Sequence, residues 1–449
     1  MFGKTLSFKI IMMLCAKLLL GMFSNGTFAQ DMDVNKLDAY FNTLERNDKF
    51  MGSVGILKDG EVVYDKQLGY SNLELGQKPD ENTSYGIGSI SKVFTAVLVF
   101  KAVEAGLIGL DDTIEGYFPV IGNSDKITIA QLLNHRSGVF NFTDDKENYL
   151  RYRTTYIDRA EMVDLIAEGG SVFEPGTKAA YSNSNYVLLS IILEKVYGQS
   201  YSAILWEQLI EPLGLAHTYF GGTINEDQRE SRSYRYDGQW RLMVQTNTSI
   251  GLGAGGIFST PSDLLVFADA LFSGNLLAEE SLSQMKNIRD KFGMGLFKIV
   301  YYNHVSYGHN GEIDGFIGAL RYFKDDRYGV VVLSNGLNHN LNAITVTMVN
   351  ALYGRHFSIP DFRVYHPKAK ELNAYLGVYS SSTFPVKLMV TKSGKQLFVQ
   401  AKGDAKMKME ATAKDEFKYE PADIVLKFFP DKEEMAISQG GKSYVLTRE

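Results

Sequence analysis

The stretch YGIGSISKVFTAVLVFKAVEAG, residues 85–106, constrains the fold more than any other. From Ile90 to Ala105 it reads as a helix with almost no polar face. Such a helix is stable in water only when other elements enclose it. The chain must therefore build a core thick enough to surround a whole helix. Its 449 residues, 45% hydrophobic and 22% charged, supply the material for two or three domains of a globular protein.

The same helix carries a polar anomaly at its mouth. Gly86 and Gly88 lead to Ser89, and Lys92 follows one turn later. Residues three apart share a helix face, so the amine can lie beside the hydroxyl. The helix N-terminus adds a field that favours an anionic oxygen there. A desolvated lysine has a lowered pKa and can take the serine proton. The competing reading is a helix start whose lysine snorkels to solvent. Spacing alone does not decide, because Ser283-Gln284-Met285-Lys286 has it too, within the polar helix AEESLSQMKNIRD.

Several classes are excluded early. Residues 1–29 form a leader: Lys4, Lys9 and Lys17 without acids, an apolar run from Ile10 to Phe23, then Thr27-Phe28-Ala29 before Gln30. The run falls short of the roughly 20 residues a spanning helix needs, so a cleaved signal peptide and export to the periplasm or medium are expected, with no stable membrane insertion afterwards. Cys15 follows Leu14 where a lipobox would carry a small residue, which argues against lipidation. It is the only cysteine, so the mature chain has no disulfide, thiol nucleophile or cysteine-based zinc site. The seven histidines show no H-E-x-x-H spacing. The formal charge of −6 becomes −9 once the three leader lysines are subtracted, and nothing in it invites nucleic acid. The sequence sets no oligomeric state.

Beyond the leader, residues 34–47 read as a helix. GSVGILKDGEVVYDKQLGY follows as two strands about a Lys58-Asp59-Gly60 turn. Helical stretches fill the middle (YIDRAEMVDLIAEGG, SNYVLLSIILEKVYG, PSDLLVFADALFSG). Strands return in GMGLFKIVYY, VSYGHNG, FIGALRYFKD and YGVVVLSNG, and NAITVTMVNALYG closes the unit as a helix. Short turns between the late strands favour antiparallel pairing. The expected fold is α/β (α+β): an antiparallel sheet flanked by helices from both ends of the chain, with a helical subdomain inserted. Past Pro360 the texture changes to short strands, FPVKLMVTK, KQLFVQAKG, IVLKFFPDK and KSYVLTRE, the mark of a separate small all-β domain. The expected division is 30–358 and 359–449. The second part carries no clustered polar set and reads as a stabilising or substrate-restricting appendage.

A Ser/Lys pair needs a further proton-handling group and a strand edge to orient an acyl group. Tyr181-Ser182-Asn183 lies on a loop before an apolar helix, whereas Tyr70-Ser71-Asn72 and Tyr301-Tyr302-Asn303 end strands. His309-Asn310-Gly311 ends a strand, and Gly311 permits close approach to the backbone. Serine, Y-x-N and H-x-G in this order resemble the serine β-lactamase and penicillin-binding-protein family, in its class-C-like branch with DD-peptidases, D-aminopeptidases and esterases. LLNHRSGV (132–139) and GAGGIFSTPSDLLVFA (253–268) look like further family segments, and the resemblance spans roughly residues 34–355. The C-terminal part resembles the lipocalin-like β domain often appended to such hydrolases.

The resemblance implies a transpeptidase-type fold and an acyl-enzyme mechanism without metal or organic cofactor. Ser89 would be the nucleophile and Lys92 its activator. Tyr181, as phenolate or proton relay, would be general base and later acid. Asn183 would hold the substrate and steady Lys92. His309 stands where many relatives have the lysine of K-T-G, and the backbone N–H groups of Ser89 and Glu312 would form the oxyanion hole. Asn310 replaces a threonine-like carboxylate anchor, and Glu312 adds negative charge at that edge. The substrate is then a small-molecule or peptide acyl donor, a neutral ester or amide, with weak or absent β-lactamase activity. Acyl transfer to an alcohol or amine, and a penicillin-binding sensor without turnover, are the alternatives. An α/β-hydrolase is disfavoured because no G-x-S-x-G elbow occurs.

Overall fold

A computed structural model describes residues 32–224, 229–362, 365–401, 406–419, 422, 424–439 and 442–449. The leader, with Cys15, lies outside them. The main path of the central sheet is antiparallel and draws on both ends of the hydrolase unit. It runs through β1 (Phe50–Lys58), β2 (Glu61–Leu68), β3 (Phe297–Tyr301), β4 (His304–Ile313), β5 (Phe316–Phe323) and β6 (Tyr328–Leu337), in the order β2-β1-β6-β5-β4-β3. A short hairpin, Tyr234–Tyr236 with Trp240–Leu242, joins β6 through one parallel bridge at Gly336. Turns too short for a crossover, Asp59-Gly60 and Asp314-Gly315, join β1 to β2 and β4 to β5 and leave only antiparallel pairing. The register sets Val54 opposite Val332, Ala319 opposite Val332 on the other side, and His309 opposite Leu320.

Helices cover both faces of the sheet. On one face α1 (Val34–Arg46) and α5 (Leu341–Leu352) bury Leu37, Phe41, Leu44, Ile344 and Met348 against Val54, Ile56, Val330 and Val332. On the other lie α2 (Ser91–Glu104) and α4 (Pro261–Phe272), against Leu57, Leu320, Tyr322, Val331 and Leu333. Each of β1, β5 and β6 is therefore buried on both sides, and their sequences run apolar rather than alternating. Helix α4 starts where Thr260 accepts from the Asp263 amide and Pro261 takes the first position.

Helix α2 is enclosed, as its composition requires: every residue from Ser91 to Phe100 is buried. Phe94 stacks on Phe267 of α4 with ring centroids 3.7 Å apart, and α3 (Asn183–Tyr197) packs along another side before ending at left-handed Gly198. GMGLFKIVYY forms a strand only from Phe297, because Gly295 leaves the sheet to meet α2; a Cβ there would lie 2.6 Å from that of Ala96.

The C-terminal part is a closed eight-stranded barrel: β7 (Gly377–Ser381), β8 (Phe384–Ser393), β9 (Gln396–Ala401), β10 (Met407–Ala413), β11 (Glu416–Tyr419), β12 (Ile424–Phe429), β13 (Glu434–Gln439) and β14 (Lys442–Arg448). Each strand pairs with the next, and β7 returns to β14. Its interior is a separate core that includes Leu388, Val399, Phe417, Leu426 and Leu446. Among the described residues, no helix is long and apolar enough to cross a membrane.

Candidate active site

The short strand Tyr85–Gly86 pairs with Ile257–Ser259, and the chain then turns through Gly88, at φ +50°. A Cβ on Gly88 would lie 2.7 Å from the Glu312 nitrogen, so only glycine lets this turn lie against the edge of β4. A single 3₁₀ turn, Gly88–Ile90, launches α2. No side chain caps this start, unlike that of α4, so the helix field is directed at Ser89. Ser89 stays half-buried while Gly88, Ile90 and Ser91 are buried around it.

Lys92 does not snorkel. Its side chain is wholly buried, and Nζ lies 2.9 Å from Ser89 Oγ, 2.8 Å from Asn183 Oδ1 and 2.7 Å from the Ala254 carbonyl. Burial holds its pKa well below that of an ordinary lysine. The Tyr181 hydroxyl donates to Ser89 Oγ at 2.8 Å, and Nζ lies 5.0 Å from the Tyr181 ring centre. Burial raises the phenol pKa above its usual value, against a smaller opposing pull from the Ser89 bond. Both groups are thus driven toward their neutral forms, an amine and a phenol. That removes the expected phenolate form of Tyr181 at neutral pH and keeps the proton relay.

The Y-x-N loop reaches this point because a second loop braces it. Asn183, first residue of α3, donates its amide to Asn141 Oδ1 at 2.9 Å and its Nδ2 to Thr143 Oγ1 at 3.0 Å. The Ser182 amide donates to His135 Nδ1 at 3.2 Å, and the His135 ring lies 4.5 Å from that of Tyr181. Burial keeps His135 neutral. His135 was legible only as part of the LLNHRSGV segment; its bracing role depends on contacts across the fold.

The strand edge corrects two expectations. His309 is buried beside the site, its ring 4.6 Å from Phe297 and 6.1 Å from Tyr181. Burial lowers its pKa to about 3, so it stands there as a neutral imidazole. Asn310 is not poised as a carboxylate anchor. Strand alternation sends its side chain to the opposite face from His309, where Arg321 donates to Oδ1. Gly311 does not leave room for a substrate: a Cβ there would lie 2.0 Å from the Ile87 carbonyl, so the chain itself fills the space. Buried Arg321, which also donates to the His309 carbonyl at 3.2 Å, was missed because nothing in the sequence pairs it with Asn310. Glu312 is exposed and lines the cleft with Ser89.

Beside Ser89 the cleft opens into a lobe of about 490 Å³. Phe142, Tyr149, Leu150, Met243, Ile250 and Ala254 form much of its wall. Arg153 and Asp314 also line it, joined at 2.6 Å in a largely buried ion pair. Asp314 accepts further from the Thr246 amide at 2.6 Å and its hydroxyl at 2.7 Å. The aromatic-rich segments around 140–156 and 234–249 are therefore in part cleft wall. The rival motifs lie elsewhere. Ser283 is exposed with Lys286 half-buried, Asn72 bridges to Gln77, and Tyr301 packs on the far face of the sheet.

A nucleophilic hydroxyl flanked by a neutral amine and a phenol can form and release an ester with an acyl group without metal. Comparison with known proteins agrees with that chemistry. The profile of the Beta-lactamase family matches residues 40–354. Teichoic acid D-alanine hydrolase of Staphylococcus aureus (strain MRSA252) is 25% identical over 319 residues, covering 70% of this chain and 76% of that protein. The D-amino acid amidase of Ochrobactrum anthropi SV3, complexed with L-phenylalanine, is 26% identical with a TM-score of 0.60, covering 68% of this chain and 91% of that one. The octameric penicillin-binding protein homologue of Pyrococcus abyssi shares the fold over 93% of this chain and all of its own, with TM-score 0.66 and 24% identity.

Proposed function

The chain belongs to the beta-lactamase family, and on that premise we propose that Ser89 is its nucleophile, Lys92 the base and Tyr181 the proton relay in hydrolysis of an ester or amide of a D-amino acid. It is a serine hydrolase of the beta-lactamase-related type that works through an acyl-enzyme. The substrate class rests on the D-alanine hydrolase and the D-amino acid amidase among its relatives.

One observation carries the mechanism: Ser89 Oγ sits between Nζ of a fully buried lysine and the hydroxyl of a half-buried tyrosine. Asn183 Oδ1 and the Ala254 carbonyl can only accept. They occupy both N–H bonds of a neutral amine, and its lone pair is left facing Ser89. The serine proton passes to Lys92 as Oγ attacks the acyl carbon, and the resulting ammonium has three acceptors already in place. The oxyanion is held by the Ser89 and Glu312 amides. Tyr181 gives its proton to the departing amine or alkoxide and regains one from the Lys92 ammonium. Water then repeats the sequence on the acyl-enzyme and restores Ser89.

Asn310 is turned away and Glu312 is anionic, which supports the expectation of weak or absent β-lactamase activity, since a penicillin carries a free carboxylate. Eight strands in simple succession support a lipocalin-like reading of the barrel, and the Y-x-N arrangement supports the class-C-like branch. Export rests on the leader and is tested by N-terminal sequencing of the mature protein, which should begin near Gln30.

Fluorophosphonate labelling of wild type and Ser89→Ala tests the nucleophile. Label on wild type alone is expected, and equal labelling of the two would overturn the assignment. A panel of D-amino acid esters and amides alongside penicillins tests the substrate class. A penicillin kcat/KM of about 10⁶ M⁻¹s⁻¹, within the range of efficient enzymes, would remove the preference proposed here.

A further inference from the structure

We propose that Glu312 is the counter-ion for an ammonium group on the acyl donor and that the lobe beside Ser89 takes a bulky apolar side chain, so the preferred substrates are esters and amides of apolar amino acids with the α-amine free. This rests on the Ser89 reading and names which acyl group that site accepts.

Among the described residues lining the lobe, the charged side chains are Arg153, Glu312 and Asp314. Arg153 and Asp314 neutralise one another, and the Thr246 amide and hydroxyl satisfy the remaining capacity of Asp314. Lys92 is pushed toward the amine, while His135 and His309 are neutral at pH 7. Arg321 is buried and committed to the His309 and Leu320 carbonyls, Asn310 and the Tyr301 hydroxyl. Glu312 alone is exposed on the cleft wall without an ion pair among the described residues, and its backbone touches the turn that carries Ser89. An unmatched carboxylate there attracts a cation and repels a carboxylate.

The lobe supplies the second half of the code. Its volume of about 490 Å³ lies within the span of small-molecule sites, and its walls are aromatic and aliphatic. The one ion pair in it is satisfied internally and asks nothing of a ligand. A benzyl or branched side chain would displace water there, whereas a methyl group would leave most of the space unfilled.

The test measures kcat/KM of the full-length mature protein on 4-nitroanilides of phenylalanine and alanine, each with the amine free or acetylated and in both enantiomers. The free amine should be favoured by about fivefold or more at low ionic strength, as expected for one charge contact near water. That ratio should shrink in 1 M salt and collapse toward one in Glu312→Gln through KM. Phenylalanine should exceed alanine by at least about tenfold, and Leu150→Trp, which fills the lobe, should erase that margin. Equal use of acetylated substrate by wild type, a ratio that survives Glu312→Gln, or a margin untouched by Leu150→Trp would each overturn the proposal. So would the absence of turnover of all these compounds by a protein whose Ser89 still takes the fluorophosphonate. Loss of that labelling would instead condemn the nucleophile assignment, which keeps the two failures apart.

Discussion

Lys92 gains its chemistry by being dry. In water an amine of its type is protonated at pH 7, but here burial favours the neutral form, while Asn183 and Ala254 orient its lone pair toward Ser89. Acylation should therefore rise with pH through a pKa well below 10.5, which a kcat/KM profile checks. The raised pKa of Tyr181 predicts no alkaline fall from that group near pH 10. Lys92→Met should lower kcat/KM by about 10²–10⁴, the usual worth of a positioned proton acceptor, and circular dichroism of the variant separates lost chemistry from lost fold. His309 carries a stability prediction with a definite sign. Its folded pKa is about 3 against 6.5 when exposed, so between those values the unfolded chain binds a proton that the folded chain does not. Stability contributed by the neutral ring is complete above pH 6.5 and is lost as pH falls toward 3. The urea midpoint should drop between pH 7 and pH 4, and His309→Gln should flatten part of that drop.

At the scale of elements, the site is a meeting of three edges. The start of α2 brings Ser89 and Lys92, the start of α3 brings Tyr181 and Asn183, and β4 brings His309 and Glu312. Two glycines set the spacing between the first and the last. Gly88→Ala would force a Cβ against Glu312 at positive φ, with an expected cost of about 1–3 kcal/mol and a larger loss of activity, because the turn that aims Ser89 must shift. Paired denaturation and labelling rates read the two effects. The Arg153–Asp314 pair ties the segment bearing Phe142 and Tyr149 to the tip of the β4–β5 hairpin, where Asp314 sits at φ +51° in the turn. Removing one partner of a largely buried pair leaves the other uncompensated, so Arg153→Met should cost about 3 kcal/mol. Hydrogen exchange should localise the loosening to residues 142–153.

Across the whole molecule, two bodies fold around separate cores. The hydrolase unit buries its sheet between two helical layers, and the barrel closes on itself and leaves no unpaired edge. Calorimetry should resolve two transitions. Lys49 reaches across to Glu410 at 3.4 Å, but Glu410 is 45% exposed, so Glu410→Gln should change stability by no more than about 0.5 kcal/mol. The described residues lining the lobe lie between 89 and 315, in the hydrolase unit. By itself the sequence determined whatever depends on neighbours along the chain. It set the Ser89–Lys92 spacing on one helix, the burial demanded by an all-apolar helix, the hairpin at Asp59-Gly60, the antiparallel pairing of the late strands, and the change to all-β texture past Pro360. Four barrel strands went unread, among them Met407–Ala413 and Glu434–Gln439, because they are short and bury few side chains, Met409 and Ala411 in the first and Met435 and Ile437 in the second. Only the tertiary structure decided that Tyr181 meets Ser89 and Ala254 meets Lys92, that Asn310 turns to Arg321, and that burial pulls His309 and Lys92 toward their neutral forms. Those outcomes depend on how much water is removed and on which distant groups replace it, and local sequence encodes neither.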